Sequence, residues 1–172
     1  DPDAMVALTQ KICKGEGGGR TLQNGAKNSA ESFSVMKKNG SLPEYAMQSK
    51  GLELPAYEPR AAQGMGRGYA TSDRGGCHLR AYTANQELLG HGGGVDPRTT
   101  KGKAQLVIDK QNEKAVVDSV GICFFSMYAI ALKEIRQMIV TATGLDFKTT
   151  KDIESVGERE DNLTHHFNTR EG

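Results

Sequence analysis

Residues 64–80, Gly64-Met65-Gly66-Arg67-Gly68-Tyr69-Ala70-Thr71-Ser72-Asp73-Arg74-Gly75-Gly76-Cys77-His78-Leu79-Arg80, set the tightest limit on what this chain can become. Five of these 17 residues are glycine, but bulky and charged side chains stand between them, so the stretch is not a Gly/Ser linker. Inside a helix each glycine costs about 1 kcal/mol against alanine. What a missing Cβ provides is room for the close approach of a helix, a backbone or a ligand. His78 and Arg80 follow at once and can reach the same object. The stretch therefore predicts one wall of a pocket.

The rest of the composition narrows the class. A chain of 172 residues can form one domain with a real core, or two small ones. Its 22 basic and 21 acidic residues leave a net charge of +1, without the basic excess of a nucleic-acid binder. The most apolar region, 115–139, is broken by Asp118, Lys133, Glu134 and Arg136 and is too charged to span a bilayer. No secretory signal pattern is present. Cys13, Cys77 and Cys123 are far apart, with no CxxC pair, which fits a reducing compartment and a cytoplasmic protein. The opening Asp1-Pro2-Asp3-Ala4, without an initiator Met, suggests processing or, in preference, a piece of a larger polypeptide.

Periodicity predicts helices. Residues 1–14 start with a capping Asp1 and a first-turn Pro2, carry Met5, Leu8 and Ile12 on one face, and stop at Gly15. Residues 21–38 predict a second helix with Leu22, Ala26, Ala30, Phe33 and Val35 inward, closed by Asn39-Gly40. Residues 41–59 read as extended and irregular around Pro43, Pro55 and Pro59, with a short strand at Tyr45-Ala46-Met47 and Glu53 as an exposed carboxylate. Residues 60–72 predict a glycine-bearing helix, and Gly92-Gly93-Gly94 a loop. Helices are then expected over 99–117 (Ala104, Val107, Ile108 and Ala115 inward), over 128–143 ended by Gly144, and from a Thr149 or Thr150 cap toward Phe167 with Ile153, Val156 and Leu163 inward. The predicted fold class is all-α: a multihelical bundle with one long irregular glycine-rich segment.

A second informative string is Asp118-Ser119-Val120-Gly121-Ile122-Cys123. It ends a helix, turns at a glycine and presents a thiol before Phe124-Phe125. A carboxylate can accept hydrogen bonds from the amine edge of a heterocycle, and a thiolate is a soft ligand for iron. Taken alone, a Cys beside two Phe is most often a buried small hydrophobe. A zinc site from Cys77, His78, His91 and Cys123 is conceivable by ligand type, but its spacing is irregular. His91, His165 and His166 read as surface residues. Gly64-Met65-Gly66-Arg67-Gly68 lacks the GxGxxG spacing of a dinucleotide loop.

Together, the 64–72, 74–80 and 118–123 strings, Lys50-Gly51-Leu52-Glu53-Leu54-Pro55-Ala56-Tyr57 and the terminal Phe167-Asn168-Thr169-Arg170-Glu171-Gly172 resemble the C-terminal part of the tungsten-pterin aldehyde ferredoxin oxidoreductase family. The resemblance runs in order over essentially the whole chain. It implies residues 1–58 as the end of a second domain and 59–172 as a third. It also implies a tungsten or molybdenum bis-pterin cofactor and a 4Fe-4S cluster in the full-length parent, with neither bound by this piece alone.

By resemblance, Asp118 binds a pterin amine, with Gly121 and Ile122 in the same cofactor-binding loop, and Cys123 is one cluster ligand. His78 resembles the active-site histidine, placed to give or take a proton. Arg80 stands where many members have a lysine contacting the pterin and so joins the implied cofactor-binding residues; the change keeps the charge and alters the hydrogen-bond geometry. Ile122 replaces a commoner leucine. A CxxCxxxC segment, the base domain, the second pterin motif and the active-site Glu are absent from these residues. The implied activity of the parent is oxidation of an aldehyde to a carboxylic acid with ferredoxin as electron acceptor. The implied partners are ferredoxin, the aldehyde and the N-terminal part of the same protein, with a homo-oligomer also open. Two alternatives remain: a related aromatic acyl-thioester reductase subunit, and a non-catalytic helical packing module.

Overall fold

The computed structural model describes residues 1–36 and 46–172, the last four of the first span without their side chains. The chain divides into two compact units, Asp1–Ala56 with Arg74–Cys77, and Tyr57–Asp73 with His78–Gly172.

In the first unit, α1 (Pro2–Lys14) is set by local signals. Asp1 accepts from the Asp3 and Ala4 amides, and Gly15 closes the helix at φ 66°. No residue of α1 is buried, and its expected inward stripe is open, with Met5 65% exposed. Gly19 of α2 (Gly18–Leu22) lies against the Lys11 backbone, where a Cβ would come within 2.3 Å of a carbonyl.

The single helix expected over 21–38 is two. α3 (Gly25–Met36) begins anew at Gly25, whose φ of 82° only glycine adopts easily. Its first turn is capped from a distance: the Ala26 amide donates to Glu53 Oε1 at 2.6 Å. That hydrogen bond holds the Glu53 carboxyl below its ordinary value. Glu53 is exposed, as expected, and caps a helix as well. The expected closure at Asn39-Gly40 and the Tyr45 end of the expected strand lie outside the described residues.

The strand forms slightly later, as β1 (Gln48–Ser49) antiparallel to β2 (Leu52–Glu53), with Gln48 opposite Glu53 and Ser49 opposite Leu52. Lys50 and Gly51 both take positive φ, 54° and 85°, the signature of a two-residue type I′ hairpin.

The second unit carries the core. α4 (Gln63–Thr71) buries Met65 and Tyr69. The short α5 (Ala84–Glu87) follows, then a 3₁₀ turn at His91–Gly93. α6 (Lys103–Ser119) starts later than expected because Gly102, at φ 76°, breaks the approach. Val107 and Ala115 are buried as expected; Ile108 faces out, and Lys103, Gln111 and Lys114 face in.

A 3₁₀ segment (Phe124–Tyr128) precedes α7 (Leu132–Thr143), which therefore begins four residues after the predicted start and ends at Gly144, φ 73°. α8 (Thr150–Glu171) opens with Thr149 as cap, and the Lys148 and Thr149 amides donate to Asp152 Oδ2 at 2.8 and 2.7 Å. Val116, Val117, Ile135 and Ile153 form the buried cluster, with Ile122 and Phe147 packed on it. α8 crosses α6 at Gly157, where a Cβ would lie 2.1 Å from the Asn112 carbonyl oxygen. Beyond that crossing Asp161 is half-buried and the Asn168 side-chain amide donates to the Asp73 carbonyl at 2.7 Å, while Leu163, expected inward, is 68% exposed.

Candidate functional site

The glycines of 64–80 meet protein. A Cβ at Gly64 would come within 2.7 Å of the Glu87 carboxylate, at Gly66 within 2.9 Å of Pro59, and at Gly68 within 3.1 Å of Ala81. In the first unit, Gly75 and Gly76 would clash at 2.7 Å with the Ser49 and Leu52 carbonyl oxygens. The room predicted for a ligand is filled by the chain's own neighbours at all five positions. Glu87 explains the tightest contact. It is buried, accepts from the Gly64 and Met65 amides at the start of α4 at 2.8 and 3.1 Å, accepts from the Thr83 hydroxyl at 2.7 Å, and pairs with Lys103 at 2.6 Å.

The polar residues after these glycines reach further. Arg80 Nη1 donates to Asp118 Oδ2 at 3.0 Å across 38 residues of sequence. Its Nε stands 2.8 Å from Asp73 Oδ1, a charge contact without hydrogen-bond alignment. Asp118 Oδ1 takes a second cation, Lys114, from one turn earlier in α6. Asp118 thus sits at the end of α6 with a cation at each oxygen, its side chain still 40% exposed. Behind Asp73, burial and then the Asp73 charge push the Asp161 carboxyl up, against the pull of His165 and Arg80.

Past Asp118 the backbone closes a turn. The Gly121 amide donates to Asp118 O at 3.1 Å and the Ile122 amide to Val117 O at 3.2 Å, with Gly121 at φ 72°. Ile122 is half-buried on the core cluster, and Cys123 is exposed with a free thiol. The reading of Cys123 as a buried hydrophobe is thereby corrected: Phe124 turns in and Cys123 turns out.

His78 stands in a row of rings. Its centroid is 5.8 Å from Tyr57 and 6.0 Å from Tyr82, and Tyr82 is 5.4 Å from Phe124, the residue after Cys123. The Tyr57 and Tyr82 hydroxyls share a 2.5 Å hydrogen bond. Burial first, then hydrogen bonds to Tyr57 and Tyr128, push the Tyr82 phenol above its ordinary value.

The structure therefore brings Arg80 and Asp118 into contact and links His78 to the 118–123 turn through Tyr82. A cleft of about 200 Å³ opens beside this row, lined among others by Tyr82, Phe124, Tyr128, His91, Lys110 and Glu113. None of the six residues singled out in the sequence lines that cleft. The remaining histidines are peripheral, His91 and His166 exposed and His165 3.8 Å from Asp161. Among the described residues no group of three His, Cys, Asp or Glu side chains could hold a metal ion, which disposes of the zinc alternative there.

Sequence reasoning passed over Tyr57, Asp73, Tyr82 and Lys114. Lys114 carried a signal, since it lies four residues before Asp118 on a helix and so on the same face.

The chemistry of these donors fits a shared site. One exposed thiol can supply one ligand of a cluster but cannot hold four irons. A carboxylate oxygen that already accepts one hydrogen bond retains a lone pair for an amine edge.

Comparison with known proteins gives the family of the chain. The family model described as "Aldehyde ferredoxin oxidoreductase, domains 2 & 3" matches residues 1–172, and the chain belongs to that oxidoreductase family. It is 40% identical over 164 residues to the tungsten-containing aldehyde ferredoxin oxidoreductase of Pyrococcus furiosus, covering 95% of this chain and 26% of that protein. The Pyrococcus abyssi protein of the same name is 40% identical over 94% of the chain, and the Thermococcus kodakarensis one 40% over 76%; the chain covers 26% and 22% of these two. The chain thus spans about a quarter of the length of its relatives. Among the described residues no helix is long and apolar enough to cross a membrane.

Proposed function

We propose that this chain is the helical wall of a tungsten (or molybdenum) bis-pterin enzyme that oxidises aldehydes to carboxylic acids and passes the electrons to ferredoxin. The observation that carries the reading is the Arg80–Asp118 contact at 3.0 Å, which joins the 64–80 and 118–123 segments. Tungsten is supported by the names of the relatives. The bound metal centre and a 4Fe-4S cluster would supply the two-electron redox chemistry that side chains lack.

The residues of this chain have separate tasks in that reading. Asp118 would accept from a pterin amine, with its carboxylate held by Arg80 and Lys114. Gly121 would let the backbone approach, Ile122 would anchor the turn in the core, and Cys123 would give one cluster ligand. His78 would hold or move a proton at its imidazole, backed by Tyr57 and Tyr82. Aldehyde oxidation consumes water and releases two protons with two electrons, and an imidazole beside the substrate could accept one of them.

Substitution in the complete protein tests this. His78→Ala should abolish turnover and leave tungsten content unchanged, while Cys123→Ser should lose iron. Full activity in the first variant, or full iron in the second, overturns the assignment.

A further inference from the structure

We infer that Lys114 is a positioning residue that clasps the two ends of the 118–124 segment. Its bearing on the cofactor rests on the roles proposed above for Asp118 and Cys123. The pair Lys114–Asp118 has the spacing of an ordinary solvated helix pair, which contributes little. Here the cation is on the inside: the Lys114 side chain is 7% exposed and that of Asp118 40%. Its ammonium contacts Asp118 at the start of the segment and stands 5.3 Å from the Phe124 ring centroid at the end, within range of a cation–π attraction.

One buried charge therefore ties both ends of the turn that presents Cys123. Between them the Gly121 and Ile122 amides are already turned inward by hydrogen bonds to Asp118 and Val117. Arg80 cannot replace this tie. It approaches the other Asp118 oxygen and is drawn equally to Asp73, 2.8 Å away. Without Lys114, Asp118 is free to swing with Arg80, Phe124 loses the charge over its face, and the Cys123 thiol loses its fixed direction.

The test uses the complete protein with Lys114→Met, which keeps the chain length and removes the charge, and Lys114→Arg, which restores it. Amide hydrogen exchange at Gly121 and Ile122 should quicken roughly tenfold in Lys114→Met, as expected for the loss of a charge-assisted contact. Exchange at Gly157 should not change. Iron and tungsten content should fall in Lys114→Met and recover in Lys114→Arg. Should Lys114→Met not accumulate, Lys114→Gln serves the same comparison. Unchanged exchange at 121–122, an equal rise at Gly157, or full metal content in Lys114→Met overturns the inference. Asp118→Asn separates the two levels. If it loses tungsten while Lys114→Met keeps it, the clasp alone fails; if it too keeps tungsten, the proposed role of Asp118 fails.

Discussion

At the residue scale, buried charge decides more than the apolar pattern does. Glu87 and Lys103 face each other at 2.6 Å with side chains 0% and 4% exposed. Removing one partner of a buried pair leaves the other uncompensated, so Glu87→Gln should destabilise the protein by about 3–5 kcal/mol in denaturant unfolding. A loss below 1 kcal/mol would mean that water reaches Lys103. Tyr82 gives a pH signature. Its phenol is raised above 10.0, first by burial and then by the Tyr57 hydrogen bond. The folded protein therefore keeps the proton longer than the unfolded chain. Tyr82 contributes stability fully below pH 10.0, and that contribution is lost as pH rises through the folded value. Tyr57→Phe should bring the Tyr82 ionisation down, still above 10.0, and shrink the alkaline loss, as followed by NMR of labelled tyrosine. An unmoved Tyr82 titration would show that the hydroxyl contact does not act on it.

At the element scale, helix ends were legible and helix faces were not. Asp1, Gly15, Gly144 and Thr149 do in the structure what their residue types predict, because capping is settled within a few residues. The cap on α3 was illegible, since Glu53 arrives from 27 residues away. The buried face of α6 was legible only in part for a related reason: Val107 and Ala115 are buried as expected, but Lys103 and Gln111 turn inward to meet Glu87 and Thr71 on other segments. Gly157 attracted no notice in the sequence, yet the α6–α8 crossing depends on it. Gly157→Ala would place a methyl 2.1 Å from the Asn112 oxygen, forcing the helices apart at a cost of about 1–3 kcal/mol in thermal unfolding. An alanine variant as stable as the parent would show that the crossing can slide.

At the scale of the whole molecule, the proposed function gives the chain a share of a site. In that reading the exposed Cys123, the clamped Asp118 carboxylate and His78 among its tyrosines would meet a cofactor that the rest of the protein completes. Purified alone, the 172-residue chain should carry far less iron than one cluster per polypeptide by metal analysis. Stoichiometric iron would overturn that expectation. The order of residue types along the chain by itself determined the helical class, the helix ends at Asp1, Gly15, Gly144 and Thr149, and the strings that carry the resemblance, because these depend on neighbours in sequence. Only the tertiary structure decided that the glycines of 64–80 make room for Glu87, Pro59, Ala81 and the hairpin, and that Arg80 reaches Asp118. The physical reason is range: a missing Cβ records that something comes close, and a charge records that something is paired, but neither names a partner that arrives from elsewhere in the chain.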